Sequence, residues 1–167
     1  MEERQAFAFE VVPFAEREEP FTLEEFIGEV IRLVEANFVL IEDPEGDLVP
    51  ILLLGRGPQI DAILWSLVTE DFQEHFLDRV VPATLDSVEH TMAALAVITY
   101  VTEPADGSRR QEAVLLSALD ISGDSPRELT LANEIHRSSD EAPRLGEFRV
   151  LEESWPQRSP ALFARIE

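Results

Sequence analysis

Residues 21–34 read Phe21-Thr22-Leu23-Glu24-Glu25-Phe26-Ile27-Gly28-Glu29-Val30-Ile31-Arg32-Leu33-Val34, and the layout of the fold is worked out from them. Thr22 and Glu25 stand at the spacing of a capping box, in which each side chain satisfies a free backbone N–H at a helix start. Phe21 and Phe26 occupy the N′ and N4 places of a hydrophobic staple. Leu23, Phe26, Ile27, Val30, Ile31 and Val34 recur at helical spacing and make one apolar stripe, with Glu24, Glu25, Glu29, Arg32 and Glu35 around the rest. The pattern predicts a helix over 22–36, with Asn37 as its stop.

Before it, Phe7-Ala8-Phe9-Glu10-Val11-Val12 alternates like an edge strand that ends at Pro13, and residues 15–20 form a charged link. After it, Phe38–Ile41 and Leu48–Leu54 are apolar on both faces, as in strands covered on both sides. Between them Pro44 suits a type I turn and Gly46 a left-handed position, so 43–47 is expected to close a hairpin. Gly55-Arg56-Gly57-Pro58 breaks the second strand, with Pro58 suited to the first position of a helix. Ile60, Ile63, Leu64, Leu67 and Val68 mark that second helix, with Trp65 beside its stripe. Asp71 and Glu74 could cap a continuation carrying Phe72, Phe76 and Val80, stopped at Val81-Pro82. Residues 83–90 are expected to form a further short helix.

The second half is strand-rich. Ala94–Val101 is β-prone, 103–107 is a turn, and Glu112–Leu119 is apolar on both faces and therefore central. From Glu128 to His136, Leu129, Leu131 and Ile135 alternate with Glu128, Thr130, Glu134 and His136, which predicts a strand with one wet face. Gly146–Leu151 is a further short strand, and 156–167 is weakly specified. The chain is thus expected to be one α+β domain over 1–167 with a mostly antiparallel sheet. Its two main helices stand in the order α-β-β-α-β-β-β, with a further β after it. That order suits a profilin- or roadblock-type arrangement.

Charge narrows the function classes. The 167 residues carry 34 acidic and 13 basic side chains, a net −21, and every basic residue is Arg. Such a balance argues against nucleic acid, whose phosphates need cations, and against anionic membrane surfaces. Residues 1–90 hold −16 of the total and 91–167 hold −5, so a charge-driven contact would use the first ninety residues. With no cysteine there is no disulfide framework, no Cys-liganded zinc and no thiol chemistry. Met1-Glu2-Glu3-Arg4 lacks a signal-peptide pattern, and the apolar stretch 92–101 is half the length of a membrane span. A soluble cytoplasmic protein is the expectation.

Local chemistry is sparse. Gly55, Arg56 and Gly57 precede the expected second helix, where free N–H groups and a cation could hold an anion, although a tight turn alone explains both glycines. His75, His136, Glu134 and Asp140 offer imidazole and carboxylate for a metal, yet a carboxylate beside a histidine is expected by chance among 34 of them. No Gly-x-Ser-x-Gly elbow or His-Glu-x-x-His pair marks a catalytic centre. Trp155, next to Pro156, is a large ring to be tucked onto the domain or offered to a partner.

Arg109-Arg110-Gln111-Glu112-Ala113-Val114-Leu115, followed by Pro143-Arg144-Leu145-Gly146-Glu147-Phe148, resembles a pattern in small uncharacterised proteins of GC-rich bacteria. Phe148 stands where those proteins often carry Trp. The resemblance spans 91–150 and implies a family with no assigned activity, so it transfers no site; it favours an antiparallel second half. The expected function is non-enzymatic: protein contacts, including pairing with a second copy, and no cofactor. Two alternatives are a small-ligand- or metal-dependent enzyme using the 55–58 turn or the histidines, and an acidic decoy for a basic partner.

Overall fold

The structure, a computed structural model, describes residues 7–46, 48, 50–67, 80–102, 110–123 and 126–150. In chain order its elements are β1 (Phe7–Glu16), α1 (Leu23–Val39), β2 (Ile51–Arg56), β3 (Gln59–Leu67), α2 (Val81–Ser87), β4 (Met92–Thr102), β5 (Arg110–Asp120), β6 (Arg127–His136), β7 (Arg144–Leu145) and β8 (Arg149–Val150). The strands form a mostly antiparallel sheet in the order β1-β3-β2-β4-β5-β6-β7, with β8 also beside β6. Two helices join it among the described residues, which makes the fold α+β.

The capping box forms as its spacing predicts. Thr22 Oγ1 accepts the Glu25 N–H at 3.2 Å, and Glu25 Oε1 accepts the Thr22 N–H at 3.1 Å. Phe21 and Phe26 are both buried. The far end runs past Asn37 because Asn37 stays helical: its Nδ2 donates to the Leu33 carbonyl at 2.8 Å. One turn beyond Val34, Phe38 falls on the apolar stripe and is buried, which holds the last turn in place. The expected strand at 38–41 is therefore helix and exit loop.

The hairpin also lies elsewhere than expected. β2 pairs with β3 across Gly57-Pro58, with Arg56 opposite Gln59. Gly57 has φ +60°, the sign a two-residue hairpin loop needs at its first central position. Residues 59–67 are thus strand, not helix. Ile60 lies under α1 while Ile63 faces α2, so the spacing that suggested one helical stripe belongs to a strand covered on both faces. Gly57→Ala should destabilise by roughly 1–2 kcal/mol, because a Cβ disfavours this φ; an unchanged urea midpoint would refute it.

Pro82 sits in the first turn of α2 and so starts a helix where it was expected to stop one. Its missing N–H has no intrahelical role there. α2 also comes earlier than the expected 83–90, and the continuation capped by Asp71 lies outside the described residues, apart from Val80.

The two helices pack on opposite faces. Beneath α1 lie Phe26, Val30, Val34 and Phe38 against Leu53, Ala94, Val114, Leu116, Leu131 and Ile135. Beneath α2 lie Val81 and Leu85 against Leu52, Leu54, Ile63 and Leu95. Trp65 joins this second layer through a hydrogen bond from Nε1 to Thr84 Oγ1 at 3.1 Å, and the Thr84 hydroxyl donates to the Val80 carbonyl. β1 is an edge strand, as expected, but it runs through Pro13 to Glu16 with a register irregularity there. At an edge the missing proline N–H need not break a ladder.

β4 and β6 contain their expected segments, and β5 lies centrally between them. Across β6, Leu129, Leu131 and Ile135 join the α1 layer, with Glu128 and His136 exposed on the other face. The strand expected at 146–151 is present only as β8, with β7 preceding it. The turn at 103–107 and the 156–167 tail fall outside the described residues. Among the described residues no helix is long and apolar enough to cross a membrane.

Candidate functional site

The 55–58 turn joins two strands, so the helix N-terminus expected to attract an anion is not there. Its carbonyls are engaged by the chain itself: Gly57 O accepts the Phe21 N–H and Pro58 O accepts the Arg17 N–H, both at 3.0 Å. Gly55 has a packing role. A Cβ on it would lie 3.2 Å from Met92 Cβ and 3.3 Å from Phe26 Cε1, so its absence lets the Phe26 ring settle on β2. Arg56 is exposed.

Two of the four expected metal-binding side chains come close together. His136 Nε2 stands 3.9 Å from Glu134 Oε2, while Arg149 approaches Glu134 Oε1 at 3.6 Å. The guanidinium beside the carboxylate weakens the case for a second cation there. Asp140 is exposed in the segment after β6, and no group of three or more His, Asp or Glu suited to a metal occurs among the described residues. His75 and Trp155 lie outside the described residues.

Two arginines that sequence reasoning passed over organise the ends of α1. Arg17 grips both Glu25 oxygens, at 2.8 and 2.7 Å, donates to the Glu19 and Pro20 carbonyls, and stacks 3.9 Å over the Phe21 ring. Its hydrogen bond, together with the Thr22 N–H, lowers the Glu25 carboxyl from the ordinary 4.5 to about 2. A lowered folded-state pKa stabilises above the unfolded value and is lost as pH falls through the folded one. The stability gap between wild type and Glu25→Gln should therefore be full above about 4.5 and close towards pH 2. A gap unchanged over that window in acid titrations of unfolding would contradict this role.

At the other end, Arg137 pairs with Glu112 and donates through one terminal nitrogen to the carbonyls of Pro44 and Gly46, at 3.0 and 2.8 Å. The exit loop of α1 is thereby tied to β5 and β6. Inside the loop, Asp43 accepts the Glu45 N–H on its side chain and the Gly46 N–H on its carbonyl. Gly46 must lack a side chain, because a Cβ would sit 2.5 Å from Ile41 Cγ2.

This anchored exit presents an unusual surface. Val39 and Leu40 are 80% and 75% exposed, more than any other large apolar side chain among the described residues. Glu35, Glu42, Asp43 and Glu45 are exposed close by in sequence. The last turn of α1 holds no basic residue, so the negative end of the helix dipole adds to those carboxylates. Arg32, one turn earlier, is paired with Glu29 at 2.7 Å. Helical phase was the available signal: counted from Val34, Phe38 and Ile41 fall on the stripe while Val39 and Leu40 fall off it. No family model, curated protein or solved structure matches the chain.

Proposed function

We propose that the chain is a non-enzymatic protein-interaction domain whose contact surface is the exit of α1. One observation carries this reading: Val39 and Leu40 are both exposed at the end of α1, just before a loop that Arg137 holds at Pro44 and Gly46. Isolated exposed apolar residues are ordinary, but two in succession at a helix end give a partner apolar area to cover. Self-association at this surface would bring carboxylates against carboxylates, so a different protein suits it better than a second copy. The element order from α1 to β6 supports a profilin- or roadblock-type layout as an architectural analogy, and fold alone does not fix function.

The test compares immobilised wild type with the double variant Val39→Ser, Leu40→Ser as baits in the same lysate. Both changes are at exposed positions and keep the net charge, so the variant should stay folded by circular dichroism. A protein retained by the wild type and released by the variant is the expected result. Identical captures by the two baits would overturn the reading.

A further inference from the structure

We infer that the partner docked at the α1 exit is a basic amphipathic helix, its apolar side on Val39 and Leu40 and its cations over the carboxylates and the negative end of the α1 dipole. The inference rests on the interaction reading above and adds the chemistry of the partner. Two local rules of helix design are broken at one place: large apolar side chains are exposed, and the last turn lacks a cation. Departures of this kind gather where function outweighs local stability. A partner bringing Arg or Lys supplies the missing cation, and its apolar face covers the exposed pair.

The exposed acidic residues that flank the pair in sequence suit a partner with cations beside its apolar residues. Val39 and Leu40 follow one another at a helix end, with exposed acidic residues on both sides in sequence, Glu35 before and Glu42, Asp43 and Glu45 after. A narrow apolar anchor with an acidic fringe matches a partner that carries its apolar residues in a stripe and its cations at the margins. The Arg137 contacts to Pro44 and Gly46 hold the loop that carries Asp43 and Glu45 in place before binding, which limits the ordering entropy of association.

The probe is a synthetic amphipathic helix with leucine on one face and lysine on the other, titrated by fluorescence anisotropy. A companion helix carries glutamine in place of lysine. The lysine helix should bind wild type at least about tenfold more tightly than the glutamine helix, with affinity falling as salt rises. Val39→Ser with Leu40→Ser should weaken it by about tenfold or more at unchanged charge, and Glu42→Gln with Asp43→Asn by several-fold with the apolar pair intact. Asp43→Asn keeps a side-chain oxygen to accept the Glu45 N–H, so the second variant should hold its loop. Equal binding by the Val39, Leu40 variant would mean that the acidic surface attracts the peptide without this site, and the inference falls. If the glutamine helix binds as tightly as the lysine one and the apolar variant loses both, the docking surface stands and the basic partner falls. If neither helix binds, the inference is overturned and the bait comparison judges the interaction reading by itself.

Discussion

Phe26→Ala should destabilise the protein by about 3–5 kcal/mol, a large part of the roughly 5–15 kcal/mol that holds a domain of this kind together. Phe26 is 0% exposed and stands where three requirements meet. It is the N4 residue of the staple, it belongs to the apolar stripe of α1, and its ring lies over the bare backbone of Gly55 in β2. Truncation removes the apolar contact and leaves a cavity whose floor is backbone, which cannot relax to fill it. Gly55→Ala probes the same contact from the other side. Its new Cβ would press on Met92 and Phe26 at 3.2 and 3.3 Å, so the single change should destabilise by about 1–3 kcal/mol through overpacking. In the double variant the methyl enters the space vacated by the ring, and the total should be smaller than the sum of the two. Urea unfolding with unchanged slope is the measurement. A loss below about 1 kcal/mol for Phe26→Ala, or strict additivity, would show that α1 is not seated on β2 in this way.

The start of α1 and the strands β4 to β6 were legible in the sequence because their signals are local. A capping box is complete within four residues, and the alternation of Leu129, Leu131 and Ile135 is complete within one strand. β3 was not legible for a physical reason. Ile60, Ile63, Leu64 and Leu67 satisfy helical spacing, and they equally suit a strand whose two faces are both covered. The deciding facts are distant ones: β1 and β2 flank β3, and α1 and α2 cover its faces. Gly57-Pro58 was ambiguous likewise, since a proline that can open a helix also fits a two-residue hairpin loop. The candidate surface was hidden by the converse ambiguity. Phe38–Ile41 read as a buried strand puts Val39 and Leu40 inside the protein, whereas two more helical residues after Asn37 turn both into solvent.

Arg137 marks the extreme of what local reading misses, because its contacts with Pro44 and Gly46 span 93 and 91 residues. Arg137→Ala should lower stability by about 2–4 kcal/mol. The two side chains are 25% and 18% exposed, so removing the guanidinium takes the Arg137 counter-charge from a Glu112 carboxylate largely shielded from water. The Pro44 and Gly46 carbonyls lose a charge-assisted donor at the same time. Arg137→Lys should recover only part of the loss, since an ammonium keeps the charge but cannot span a carboxylate and two carbonyls as a planar fork does. Arg137→Met with Glu112→Gln should be milder than Arg137→Ala alone, because no charge is then stranded. The functional readout separates this residue from a merely stabilising one. If the fringe around Val39 and Leu40 depends on the anchored loop, Arg137→Ala should weaken the lysine helix several-fold at temperatures where the variant is fully folded. Stability lost with peptide affinity unchanged would confine Arg137 to the core. A loss of both would tie the exit of α1 to a clamp on the far strands of the sheet.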